Sequence, residues 1–353
     1  MDKKRILASL VVFLILAVLV YLQFREWRTF DWAKFRSLSQ QIRWLHVVHG
    51  ILWIYFGYVL RAVRWKIFLL PVRPKASATG LIAPTVIGFT GLALLGRPGE
   101  LIRPYLIAKR ENLPFSSQMG VWAIERIFDI GAFTILMTMA IFFLPDAMQS
   151  IPHPEYYHMF RIGGFWLMAL VAGLVVGAVL VGRSGEGIAA WVEKRFAHLA
   201  ANLGHRIAER IREFGTGLRI VHGPISLMLS ILVSLAMWFV IAVAYQEVTH
   251  SYGTAALDIS RPQVLILMGA SIFGSLLQLP GIGGGSQIAT IAALTRIFDV
   301  GAESAASCAI LLWLVTFAAV VPLGLVLAHH ERLSLRKLSQ ESHQADTGEP
   351  PKS

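Results

Sequence analysis

Apolar positions along this chain form long unbroken runs, with no two-residue alternation of half-buried strands and no narrow stripe of surface helices. Six runs, at 6–22, 44–60, 121–143, 162–181, 225–248 and 304–327, reach or approach the ~20 residues a helix needs to cross a ~30 Å hydrocarbon core. Two regions differ. The run 81–95 is short, meets Gly96-Arg97-Pro98-Gly99-Glu100, and is followed by a second arm at 101–113 too polar to face lipid. The run 264–279 meets Pro280-Gly281-Ile282-Gly283-Gly284-Gly285 and is followed by 286–298. Each reads as two short helices broken at a Gly/Pro tip.

The pattern predicts an all-α polytopic membrane protein with about six full spans plus two re-entrant helical hairpins. Basic residues orient it. Lys3, Lys4 and Arg5 place the N-terminus inside, and the second span ends inside at Arg61, Arg64, Lys66, Arg73 and Lys75. The connections 145–160 and 248–260 hold no Lys or Arg and belong outside; the Arg-rich 183–222 and the tail with Arg332, Arg336 and Lys337 belong inside. These sides agree if each hairpin returns to the face it entered from. The order is then span, span, hairpin, span, repeated in opposite orientation: an inverted repeat of 6–143 and 162–328 within one domain, 1–328. The symmetry lies in hydropathy and charge, without residue identity between halves. Eight or more ordinary spans, some short, is the other reading.

Three segments fall outside this plan. The stretch 25–43 would be outside yet holds five basic residues beside Trp27, Phe30, Trp32 and Phe35, as an amphipathic helix at the interface does. The linker 183–223 reads as one or two basic amphipathic helices on the cytoplasmic surface, and 329–353 as a polar, disordered cytoplasmic tail. The first run lacks a cleavage site and reads as an uncleaved span.

Composition agrees. Of 353 residues, 56% are hydrophobic and 15% charged, and the mean hydropathy is +0.61. The net charge of +11 sits between the apolar runs, which argues for membrane orientation and against a nucleic-acid-binding face. Cys308, the single cysteine, excludes an intramolecular disulfide and reads as a packed side chain.

Charges inside the runs carry the chemistry. Glu125, Arg126 and Asp129 lie within 121–143, where each costs ~2.5–3.5 kcal/mol at mid-depth. Arg126 and Asp129 are spaced to pair; the set is either an internal ion pair or part of substrate or proton handling. The first tip offers Arg97, Glu100 and Arg103 beside a helix N-terminus after Gly99, a plausible anion site suited to phosphate; ordinary Arg at the headgroups is the bland alternative. The second tip offers backbone through Gly281, Gly283, Gly284 and Gly285, with Ser286 as N-cap and Gln287 within reach. Arg61 and Arg64 read as snorkelling headgroup contacts. His46 and His49 lack a carboxylate nearby to complete a metal set and read as packing or interface residues. No motif implies a catalytic residue, a metal or a cofactor.

The motifs Arg61-Ala62-Val63-Arg64-Trp65, Gly96-Arg97-Pro98-Gly99-Glu100-Leu101-Ile102-Arg103-Pro104, Glu125-Arg126-Ile127-Phe128-Asp129 and Leu279-Pro280-Gly281-Ile282-Gly283-Gly284-Gly285 resemble, in order and spacing, the flippase-like, or lysylphosphatidylglycerol synthase transmembrane-region, family. The resemblance spans about 6–328. It implies a multi-pass protein of a bacterial or archaeal cytoplasmic membrane, standing alone without the aminoacyl-transferase domain some members carry. Many members have Glu where this chain has Gln287, so no carboxylate at that tip is implied. The expected role is a flippase or transporter of an anionic phospholipid or a polyprenyl-phosphate-linked envelope intermediate. Arg97 and Arg103 would hold phosphate, the glycine turn would face them, and Glu125 and Asp129 would balance charge or carry a proton. The alternatives are a membrane-embedded transferase on a lipid-linked substrate, and a non-catalytic partner of envelope-biosynthesis enzymes.

Overall fold

In a computed structural model, residues 31–144, 151–153, 155–196, 209, 212, 223–275, 278–279 and 283–331 are described. The described chain is all-helical apart from one two-residue ladder. Six of its helices are long and apolar enough to cross a membrane. Five of them correspond to the runs expected at 44–60, 121–143, 162–181, 225–248 and 304–327, the sixth is the segment from Ala78 to Leu95, and the run 6–22 lies outside the described residues.

Helix α1 (Trp32–Gln40) is capped by Asp31, whose carboxylate accepts from the Lys34 amide at 3.0 Å. Of the stretch 25–43 expected to be an amphipathic helix, 25–30 lie outside the described residues, and this helix occupies part of the rest. It is tied down by the ion pair of Lys34 with Glu303, at 3.0 Å. Helix α2 (Trp44–Leu69) runs well past residue 60, so Arg61 and Arg64 lie inside a 26-residue helix. Helix α3 (Ala78–Leu95) begins at a Ser77 cap, three residues before the apolar run. At 1.5 Å per residue it is ~27 Å long, close to the hydrocarbon thickness, so the first arm of the first broken region is longer than a short hairpin arm.

Gly96 (φ +70°) turns the chain into a 3-10 turn, Arg97–Leu101, and helix α4 (Ile102–Glu111) returns to Asn112 in the left-handed region. The α-helix therefore starts at Ile102, not directly after Gly99. The N–H of Gly99 donates to Gly96 O at 2.9 Å. Gly99 and Gly91 pack backbone to backbone; a Cβ on Gly99 would collide with the Gly91 carbonyl. Close approach is thus what this position requires.

Helix α5 (Phe115–Phe143) carries the intramembrane charges. Helix α6 (Glu155–Phe196) has 42 residues, ~63 Å, about twice the hydrocarbon thickness. The expected break at 183 is absent because the drop in hydropathy there marks the end of the apolar window (Tyr156–Gly177), not of the helix. Beyond Phe196 the linker is described only at 209 and 212.

Helix α7 (Pro224–His250) packs antiparallel along α2, with Gly50 against the Ala244 carbonyl and Val248. Helix α8 (Arg261–Gly274) opens with a Ser260–Gln263 capping box. It leads to Gln278–Leu279, which pairs antiparallel with Gly283–Gly284. Helix α9 (Gly285–Ile297) follows. These two helices, with 14 and 13 residues, fall short of a full span. Gly284 has φ +116°, which a side chain would strain. Gly274 lies against the Gly285 carbonyl, so the second pair of arms also meets through glycine.

Helix α10 (Ala302–Trp313) passes through a π turn (Leu314–Ala318) into α11 (Val320–His330). Pro322 has no N–H for the carbonyl one turn earlier, and the ladder widens ahead of it, with Ala319 N bonded to Leu314 O at 2.7 Å. The Ala319 carbonyl accepts from Tyr55 Oη at 2.7 Å. The expected tail begins later than 329: His330 ends α11, and Glu331 pairs with Arg110 at 3.2 Å. The main core joins α2, α7, α8 and α10, and a smaller core around Trp65 supports the charged site.

Candidate functional site

Arg61 and Arg64 are one turn apart on α2 and share a face; Glu125 and Asp129 do the same on α5. The two faces meet. Arg64 Nη2 lies 2.8 Å from Glu125 Oε1 and 2.8 Å from Asp129 Oδ1, while its Nη1 donates to Ser234 Oγ at 2.9 Å. From α4, Arg103 grips both oxygens of Glu125, with Nη1 to Oε1 at 3.0 Å. Arg61 Nη1 reaches Asp129 Oδ2 at 3.4 Å. Arg126 stands off at 3.5 Å from Glu125 and 3.4 Å from Asp129.

Aromatic rings hold the guanidinium planes. Arg103 lies over Trp65 at 4.6 Å and over Phe89 at 5.1 Å; Arg61 lies over Phe89 at 4.9 Å. Each such contact contributes about 0.5–2 kcal/mol. Trp65 is itself fixed, its Nε1 donating to Gln118 Oε1 at 3.0 Å. Gly88 lets Arg103 come this close: a Cβ there would strike Arg103 Cα and Cβ.

Four guanidiniums thus surround two carboxylates, leaving two positive charges in excess in a site where Arg64 and Glu125 are fully buried. Such an excess is costly at membrane depth unless an anion or water balances it. Two cavities meet the cluster among the described residues, a small one beside Arg103 and a larger one reached through Arg126. The Arg126 side chain is 39% exposed and lines a cavity of about 210 Å³, together with Arg97 and Glu100. Its Nε is buried without a hydrogen-bond partner in the protein. The far wall of that cavity comes from the second broken region, through Ser271, Ser275, Ser286 and Thr290, and from Trp313 and Thr316.

The expected site residues separate into two groups. Arg61, Arg64, Arg103, Glu125, Arg126 and Asp129 form the cluster, and Arg97 and Glu100 join it at the cavity. Arg61 and Arg64 do not snorkel; both are buried in ion pairs, because α2 extends past them. The pair Arg126–Asp129 exists, but Arg64 is the tighter partner of Asp129. Arg97 is 53% exposed and pairs with Glu100 at 2.7 Å, while Nη2 donates to the Ser275 carbonyl at 3.2 Å. Gly99 sits against α3 rather than offering its N–H to the cavity.

At the second tip, Gly281 lies outside the described residues, and Gly283, Gly284 and Gly285 are not among the cavity's lining. Ser286 lies inside the first turn of α9 and is not its cap; Gln287 Oε1 fills that role, accepting from the Gly284 N–H at 2.7 Å. His46 does meet a carboxylate, Glu247, at 2.6 Å, a partner distant in sequence. Reading the sequence also missed Ser234, Phe89 and the hydroxyl wall. Hydroxyls within apolar runs are the signal that points to that wall.

No curated protein and no solved structure matches this chain. One family model does, covering residues 6–324 and therefore every element of the site: that of the lysylphosphatidylglycerol synthase TM region. A multi-pass helical membrane protein matched over that length belongs to the lysylphosphatidylglycerol synthase transmembrane-region family, whose members handle lipid.

Proposed function

We propose that this protein carries a lipid with an anionic phosphate headgroup across the membrane, taking the phosphate at Arg126 and Arg97. The observation that carries this reading is the buried excess of two positive charges opening through Arg126 onto a cavity of about 210 Å³. Arg64 and Arg103 are held at 2.8–3.0 Å by carboxylates and set the geometry. Arg126, with longer contacts and an open face, is the guanidinium that can turn to a ligand.

The two broken regions act as facing walls. Support for treating them as related hairpins is that the arms of each meet through glycine, Gly91 with Gly99 and Gly274 with Gly285, and that both line one cavity. In this scheme the acyl chains stay in lipid while the headgroup crosses along the polar wall, and the halves rock about it. In this scheme the basic loops face the cytoplasm, and the cluster lies in the cytoplasmic half of the membrane.

The test is flipping of fluorescent phosphatidylglycerol in proteoliposomes, read by dithionite quenching. Wild-type protein is expected to expose inner-leaflet probe, and Arg126→Gln to slow the initial rate at least tenfold. Equal rates for the two proteins overturn the assignment of the phosphate to Arg126.

A further inference from the structure

The cavity is chemically two-faced. One wall donates: Arg97 and Arg126 present N–H groups and positive charge. On the facing wall the hydroxyls of Tyr245, Ser275, Ser286, Thr290 and Thr316 have their protons engaged, and Ser271 receives one of them. Tyr245 donates to Ser271 at 3.0 Å, and Ser275 to the Ile272 carbonyl at 2.6 Å. Ser286 donates to Gln287 at 3.2 Å, Thr290 to the Ser286 carbonyl at 2.7 Å, and Thr316 to the Leu312 carbonyl at 2.7 Å. A hydroxyl with its proton committed still has acceptor capacity. This wall therefore accepts, and it suits a ligand that donates O–H or N–H. Trp313 adds an indole Nε1 that is buried with no partner in the protein, plus an apolar ring face.

From this geometry we infer that the lipid taken by the site carries a polyhydroxylated, uncharged group beyond its phosphate, a sugar or cyclitol rather than an aminoacyl ester. The inference rests on the phosphate reading above and specifies it. A second phosphate cannot donate to the acceptor wall at neutral pH. An ammonium can donate, but it needs a counterion when desolvated. The one carboxylate in the described lining, Glu100, is held by Arg97 at 2.7 Å, and two guanidiniums of like charge share the space. Sugar hydroxyls donate without charge, and a ring's C–H face lies well on an indole.

Binding of dioctanoyl probes to the purified full chain tests this. Phosphatidylethanol and phosphatidylinositol bear the same single phosphodiester charge and differ in hydroxyls; lysylphosphatidylglycerol adds ammonium groups. Phosphatidylinositol is expected to bind at least tenfold tighter than phosphatidylethanol, and lysylphosphatidylglycerol weaker than both. The double variant Ser271→Ala/Thr290→Val should bring phosphatidylinositol down to phosphatidylethanol while leaving the latter unchanged. Equal binding of those two probes by wild type, both lost in Arg126→Gln, overturns the polyol inference and leaves the phosphate reading standing. Tightest binding of lysylphosphatidylglycerol overturns it too. Failure of every probe to bind overturns both readings.

Discussion

Glu125→Gln changes one heavy atom at the centre of the cluster and should destabilise the helices packed around it. The carboxylate is fully buried and faces Arg64 at 2.8 Å, Arg103 on both oxygens, and Arg126 at 3.5 Å. Glutamine keeps the volume and one acceptor oxygen. Its amide nitrogen, however, would point hydrogens at a guanidinium, and the excess charge rises by one. Removing one partner of a buried ion pair costs about 3–5 kcal/mol. At ~2–4 °C per kcal/mol for a sizeable domain, the fall in Tm is about 6–20 °C. Intrinsic tryptophan fluorescence on heating, in one detergent at one protein concentration, reads it, because Trp65 stacks on Arg103. The partner variant Glu125→Gln/Arg103→Met removes the stranded charge and should recover part of the loss, as a double-mutant cycle requires of coupled groups. A single variant melting within 2 °C of wild type would refute the claim that Glu125 is the obligatory counterion.

Three further substitutions probe other parts. Arg64→Lys should lower Tm nearly as far as Arg64→Ala, because one ammonium cannot replace a fork that reaches Ser234, Glu125 and Asp129 at once; near-wild-type melting of the Lys variant would count against it. Gly99→Ala should sharply reduce folded yield by fluorescence-detected size exclusion, since its Cβ has only the Gly91 backbone to occupy. Gln287→Leu should cost about 1 kcal/mol by removing the cap on Gly284, whereas Gln287→Glu keeps the acceptor and should melt with wild type.

The charged positions are visible in the sequence because polar residues inside apolar runs stand out. Which of them meet is not. Arg64 and Glu125 are 61 residues apart, and Ser234 is 170 from Arg64, so the cluster exists only once α2, α5 and α7 have packed. Two misreadings came from equating hydropathy with helix length. Apolar character fades at residue 60 and again at 181, yet α2 continues to Leu69 and α6 to Phe196, because polar residues of adequate helix propensity continue a helix that leaves lipid or turns inward. The glycine turn was legible as a break, but its chemistry lies in the hydroxyls beside it.

Stability alone does not account for a cluster of this kind. Replacing a buried ion pair by packed apolar side chains is often neutral or favourable by 1–4 kcal/mol, and in a bilayer the apolar alternative is readily inserted. The arrangement also differs from a closed, self-neutralised network. Its tightest contacts are all between Arg64, Arg103 and the carboxylates, which bind α2, α4 and α5 together. Its looser contacts, at 3.4–4.0 Å, belong to Arg61, which is buried, and to Arg126, the member that faces the cavity. A network built only to hold helices would place its slack where no ligand can reach. Here the looser and more exposed guanidinium, Arg126, sits at the cavity shared by both broken regions, where, on the proposed reading, an incoming phosphate would complete the charge balance of the cluster.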